Sequence, residues 1–379
     1  MHELFCAKWL YRGFGLPEEN TGIVVSNGMI EAIGPIGGLQ ERYPTAKVHP
    51  MCDAISPQPV NAHTHLDLST VPFKQAPYTE WISHVIAHRQ ERNLAAAQVG
   101  LNHLKNPRIP VLGDIVTQPE VMEYLLTQVE TPGVAYWEVI GPRAEDANLL
   151  FEQTRSLILQ FRQLERPGKM RVGLSPHAAH TVHHTLLKRL AEFAQEVGLP
   201  LQIHIAESPE ELELFQQGQG PLAESMVRYT GQPVADILGR APSADLTPIS
   251  HLKDLGILQA QPTLIHTVQV TEMDVQTIAQ TGCTVVTCPR SNEALMCGTF
   301  DWNLFLRNNV EIAIGTDSVA SGKTLHIEDE IRHIRIQHPH LPLRLLIRAA
   351  VKGGYRALKL QTPRLQVGQP SSMLHFWMF

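Results

Sequence analysis

Cysteine is scarce. The chain of 379 residues holds five: Cys6, Cys52, Cys283, Cys288 and Cys297. No two form a CxxC pair, and an odd number makes no disulfide framework. The expectation is a reduced protein in the cytoplasm. Basic charge is not in excess either. Thirty-one Lys+Arg against 37 Asp+Glu leave a formal net charge of −6, which disfavours nucleic acid as the main partner, since phosphates call for cations. No apolar run approaches the roughly 20 residues of a membrane span. The start, MHELFCAKWLYRG, lacks the apolar core of a signal peptide. Charged residues are 18% and apolar residues 43%, a balance that excludes coiled coil and disorder.

Length is ample for a large core, and histidine is abundant at 19 residues. Residues 1–56 read as short strands with tight turns: Ile23–Val25, then the hairpin signal Asn27-Gly28, then Met29–Ile33. From Pro57 the texture changes. Apolar runs at 59–62, 109–115, 134–140, 170–174, 199–205, 263–266, 283–288 and 310–315 alternate with helical stretches, among them 79–98, 119–128, 146–164 and 185–197.

Near-continuous apolar strands separated by amphipathic helices imply a parallel sheet buried on both faces. Eight such pairs predict an α/β fold of the (β/α)8 TIM-barrel type over residues 57–362. A doubly wound open sheet is the alternative, but no GxGxxG follows the first strand. Residues 218–260 read as a helical insertion. Residues 363–379 are too short for a domain and are expected to return to the N-terminal unit, making a small β-sandwich of 1–56 plus 363–379.

A barrel keeps its chemistry at the carboxyl ends of its strands. There stand Asn61-Ala62-His63-Thr64-His65, Ser175-Pro176-His177, His204 with Glu207 three residues on, His266, Cys288-Pro289-Arg290-Ser291-Asn292 and Gly315-Thr316-Asp317-Ser318. In a strand, residues i and i+2 face one side, so His63 and His65 suit one metal ion. A pair of polar residues leaving a sheet is the plainer alternative. His204 is a further ligand candidate or a core histidine bonded to a backbone carbonyl. Asp317 is a ligand or a helix N-cap.

Three imidazoles and a carboxylate suit Zn2+, or alternatively Fe2+, and leave room for a water made acidic by the ion. Glu207 could protonate a substrate nitrogen if burial raises its pKa, or could merely favour a helix N-terminus. His266 could polarise the attacking water. His177 is open between substrate contact and structure. His180, His183 and His184 read as surface groups or neighbours of the site.

Together VNAHTHLDLS, SPHAAHTV, IHIAESPEE, LIHTVQVTEMDV, VVTCPRSNE and IAIGTDS resemble the amidohydrolase superfamily. The likeness is to its cytosine deaminase and chlorohydrolase-like branch, which includes adenosine, guanine and aminofutalosine deaminases. Pro72-Phe73 followed by Trp81-Ile82 is similar to the aminofutalosine deaminase-like members. The resemblance implies one metal held by His63, His65, His204 and Asp317. It implies Glu207 as proton shuttle, with His266 and Asp317 activating water. His177, Trp81 and the loop Arg290-Ser291-Asn292 would face the substrate. The stretch Met170–Ser175 has no lysine to bridge two metals, so the centre would be mononuclear, one ion per subunit. The resemblance also makes a homodimer plausible.

The expected activity is hydrolytic deamination of an aminated heterocycle or nucleoside, a small molecule. Hydrolysis of an amide, cyclic amide or carbon–halogen bond at the same site is the rival. A catalytically idle binding or scaffold protein is the rival from another class.

Overall fold

The computed structural model describes residues 1–105 and 110–379. Its strands are β1 (Glu3–Leu10), β2 (Glu18–Ser26), β3 (Met29–Pro35), β4 (Lys47–Val48), β5 (Cys52–Pro57), β6 (Val60–Thr64), β7 (Val111–Val116), β8 (Gly133–Val139), β9 (Met170–Pro176), β10 (Gln202–Ile205), β11 (Thr263–His266), β12 (Thr284–Thr287), β13 (Ile312–Ile314) and β14 (Leu374–Trp377).

β1 to β5 and β14 form one six-stranded sheet in the order β14-β5-β1-β2-β3, with β4 beside β1. The β2–β3 turn is Asn27-Gly28, both at positive φ (50° and 74°), as a two-residue hairpin of this twist requires. Apolar clusters lie around Leu10, Ile23, Ile55 and Leu374, and around Leu4, Val24 and Leu39. The C-terminal segment returns one strand: β14 pairs antiparallel with β5.

β6 to β13 are parallel and form two four-stranded sheets, β6-β7-β8-β9 and β10-β11-β12-β13. Every residue of β6, β7, β10, β11, β12 and β13 is buried, as strands covered on both faces must be. Isolated parallel bridges join the sheets at both edges, Leu174 to Leu201 and Thr64 to Asp317. At the second seam Asn61 Nδ2 donates to Thr316 Oγ1, 255 residues away, at 2.8 Å.

The helices between strands bury one face each. Helix His184–Val197 sinks Leu186, Leu187, Leu190 and Phe193 and ends at Gly198 in the left-handed conformation. Two expectations are corrected. The single helix over 79–98 is two, Tyr78–Ala87 and Leu94–Leu104, because the Asn93 side chain accepts from Ala96 N and starts a new helix. The second strand begins at Val111; Ile109, its expected start, lies outside the described residues. The insertion is helical, with Gly220–Thr230, Val234–Leu238 and Pro248–Asp254. Among the described residues no helix is long and apolar enough to cross a membrane.

Candidate active site

The carboxyl ends of β6, β10, β11 and β13 bring His63, His65, His204, Glu207, His266 and Asp317 to one rim, all 8% exposed or less. The backbone there is unusual. Ala206, His266, Thr267 and Asp317 have positive φ (52°, 71°, 46° and 59°), conformations that non-glycine residues avoid and that cluster where side chains must be aimed.

Hydrogen bonds assign the tautomers. Gln202 Nε2 donates to the Ala62 carbonyl at 2.9 Å, so its Oε1 must accept from His63 Nδ1 at 3.0 Å. His204 Nδ1 faces the His177 carbonyl at 2.9 Å and can only donate. Each ring therefore keeps its lone pair on Nε2, and these two atoms face each other at 3.2 Å. Burial, then the neighbouring His204, pushes His63 down to about 3, and burial pushes His204 down well below the usual imidazole range. With no proton between them, two lone pairs at this distance repel.

Asp317 Oδ1 stands 3.5 Å from His65 Nε2 and 3.9 Å from His63 Nε2. Its Oδ2 accepts from Ser291 Oγ (2.6 Å) and Ser321 Oγ (2.9 Å), which holds Oδ1 toward the rings. The donor atoms of His63, His65 and Asp317 lie within 4.8 Å of one another, as do those of His63, His204 and His266. Neutral imidazoles with inward lone pairs and one carboxyl oxygen fit a divalent cation of the zinc type.

Glu207 is buried beside this cluster. Burial, then Asp317 and Glu211, holds its carboxyl well above the usual range, so the protonated form is favoured at neutral pH. Its Oε1 is 3.5 Å from His266 Nε2. His266 Nδ1 pairs with Asn292 Oδ1 at 2.9 Å, which leaves Nε2 as an acceptor facing the Glu207 proton. Glu207 N donates to Glu211 Oε2 at 2.7 Å, fixing the segment.

The cluster opens into a cavity of about 670 Å³. His177 and Trp81 line it. Its outer wall is apolar, with Ile82, Val85, Leu222, Met226 and Tyr229 from helices Tyr78–Ala87 and Gly220–Thr230. Arg290, Ser291 and Asn292 do not line it. Residues Pro289–Ala294 form a short helix instead of a substrate-facing loop. Arg290 turns away to Glu330 (Nε–Oε1 2.7 Å) and the Thr324 carbonyl (2.8 Å), while Ser291 and Asn292 serve Asp317 and His266.

Sequence reasoning passed over four residues. Gln202 shares a strand face with His204 by the same i, i+2 rule that linked His63 to His65. Glu138 ends β8 as the other site residues end theirs, and burial pushes it up to about 7. His180 is 3% exposed and lines the cavity, in contrast to the surface reading. Tyr78, which hydrogen-bonds Glu207, carries no signal in its local sequence.

The chain belongs to the amidohydrolase family, whose model matches residues 55–376. It is 46% identical over 362 residues to the aminodeoxyfutalosine deaminase of Deinococcus radiodurans, covering 95% of this chain and 86% of that one. It is 24% identical to a 5-methylthioadenosine/S-adenosylhomocysteine deaminase of Nitratidesulfovibrio vulgaris, over 94% and 78% of the two chains. In fold it is similar to the aminofutalosine deaminase of Helicobacter pylori, with TM-score 0.77 at 20% identity over 100% of this chain and 92% of the other.

Proposed function

We propose that this chain is a mononuclear, zinc-dependent hydrolytic deaminase of an aminated purine nucleoside of the aminofutalosine type. The observation that carries the reading is Glu207, a buried carboxyl favoured as the acid, facing His266 Nε2 at the edge of a neutral histidine–aspartate cluster. The 46% identity to an aminodeoxyfutalosine deaminase supports the substrate class.

His63, His65, His204 and Asp317 would hold the ion. When bound, it supplies a water acidic enough to attack at neutral pH. Asp317 Oδ1 is placed to take a proton from that water, because Oδ2 is occupied by two serine hydroxyls. Glu207 donates its proton to the ring nitrogen beside the carbon under attack, so negative charge does not build on the ring. His266, held by Asn292, orients the attacking water and later steadies the charge on oxygen. Ammonia then leaves.

The two bridged seams between the four-stranded sheets support a (β/α)8 barrel over 57–362. The six-stranded sheet supports a small β unit made of 1–56 and 363–379.

The test is ammonia release from aminopurine nucleosides, aminopyrimidines and aminotriazines by protein of measured metal content. Turnover of a purine nucleoside with about one zinc per chain is expected. Failure across the panel, with rapid hydrolysis of a cyclic amide or a carbon–halogen bond, overturns the deaminase reading. Zinc content near zero that added zinc does not restore overturns the metal assignment.

A further inference from the structure

Glu138 has no task in the chemistry above. It ends β8, beside the strand that delivers His177, and its carboxyl stands in the cavity wall. Its Oε1 is buried and has no hydrogen-bond partner. A carboxyl oxygen left so is costly unless something else completes it.

The neighbouring groups are already committed. Arg92 is the nearest opposite charge, but its guanidinium forks onto Asp67, with Nε to Oδ2 at 3.0 Å and Nη2 to Oδ1 at 3.2 Å. His177 uses Nδ1 on Thr181 Oγ1 at 2.8 Å. Ligand atoms of Glu138, His177 and His204 lie within 4.8 Å of one another, yet this trio is no second metal centre. His204 donates with Nδ1 and turns its only lone pair to His63.

What is left is an acceptor open to the cavity, outside the donor cluster, waiting for donors on the ligand. A cationic donor is disfavoured, since Arg89, Arg92 and Arg228 also line the cavity. Neutral hydroxyls fit. A carboxylate taking two adjacent hydroxyls is the chemistry by which acidic residues read ribose elsewhere.

We infer that Glu138 is a specificity-determining residue that accepts hydrogen bonds from the vicinal hydroxyls of the substrate's sugar. This rests on the nucleoside reading of the same cavity, and it concerns binding, not the chemical step.

The test therefore uses binding to zinc-loaded protein by calorimetry, beside the ammonia assay. The probes are inosine and 2′,3′-dideoxyinosine, against wild type, Glu138→Gln and Glu138→Leu. Metal content and thermal unfolding establish that each variant is folded.

Wild type should bind inosine about 10- to 100-fold more tightly than the dideoxy probe. Glu138→Leu should abolish that preference by weakening inosine alone, and Glu138→Gln should keep part of it. Equal weakening of both probes, or a preference that survives Glu138→Leu, overturns the inference. A hydroxyl-dependent preference in a protein that releases no ammonia leaves the inference standing and sinks the deaminase reading. Ammonia release from free adenine as efficient as from adenosine does the reverse.

Discussion

Gln202 locks the site without touching the ion, and its removal has a calculable cost. The side chain is fully buried, accepting from His63 Nδ1 and donating to the Ala62 carbonyl. Gln202→Leu nearly preserves volume and orphans both partners. Each orphaned buried group costs about 1–3 kcal/mol, so the metal-free protein should lose about 2–4 kcal/mol in urea unfolding. The larger consequence concerns metal. Without an acceptor at Nδ1, the His63 ring loses both its fixed tautomer and its orientation. Groups placed this way behind a ligand histidine are worth about 10- to 100-fold in metal affinity. Gln202→Glu separates the two effects. It keeps an acceptor for His63, so zinc affinity should stay near wild type, while a buried carboxylate facing the Ala62 carbonyl lowers stability. Zinc competition against a chromophoric chelator reads the affinity. Wild-type zinc affinity in Gln202→Leu would refute the tautomer argument.

Glu207→Gln should keep its zinc and lower kcat by about 10²- to 10⁴-fold, measured by ammonia release; an unchanged kcat removes Glu207 from the chemistry. His251 is fully buried against Phe215 with neither ring nitrogen partnered, and burial pushes it down to about 4. The unfolded chain protonates it near pH 6.5, so its contribution is present above that pH and is lost as pH falls toward 4, about 3 kcal/mol in all. His251→Phe should flatten that part of the acid limb in urea titrations, and an unchanged slope counts against it. Arg290→Met leaves Glu330 buried without its cation and should cost about 3–5 kcal/mol with KM unaltered. The loss should be greater at pH 8 than at pH 6, because burial pushes Glu330 up to about 7 and the protonated form tolerates the missing arginine. A raised KM with wild-type stability would restore Arg290 to the substrate.

The parts of the fold legible in the sequence were those with a strong local cause. Asn27-Gly28 announces its turn. β10 and β11 are apolar throughout, and each ends in histidine or passes one. The helix break at Asn93 was not legible, because Leu94–Leu104 continues an apolar pattern and only the cap bond to Ala96 shows the restart. The donor cluster was legible because position at a strand end is a one-dimensional property. Roles that depend on where a side chain turns were not. Arg290, two residues past β12, reads like any other site residue, and only Glu330, forty residues later, explains its direction. His180 is the converse case, a residue in a turn after β9 that packing carries into the cavity wall.

The seam between β6 and β13 also bears on how the molecule is made. His63 arrives near the start of the chain and Asp317 near its end, and the bond from Asn61 to Thr316 spans 255 residues. During synthesis the early histidines leave the ribosome long before their carboxyl partner exists. Contacts of such long range form late. Zinc capture is therefore tied to completion of the chain, and a truncated product lacking β13 would carry two of the right histidines and still make a poor trap for metal.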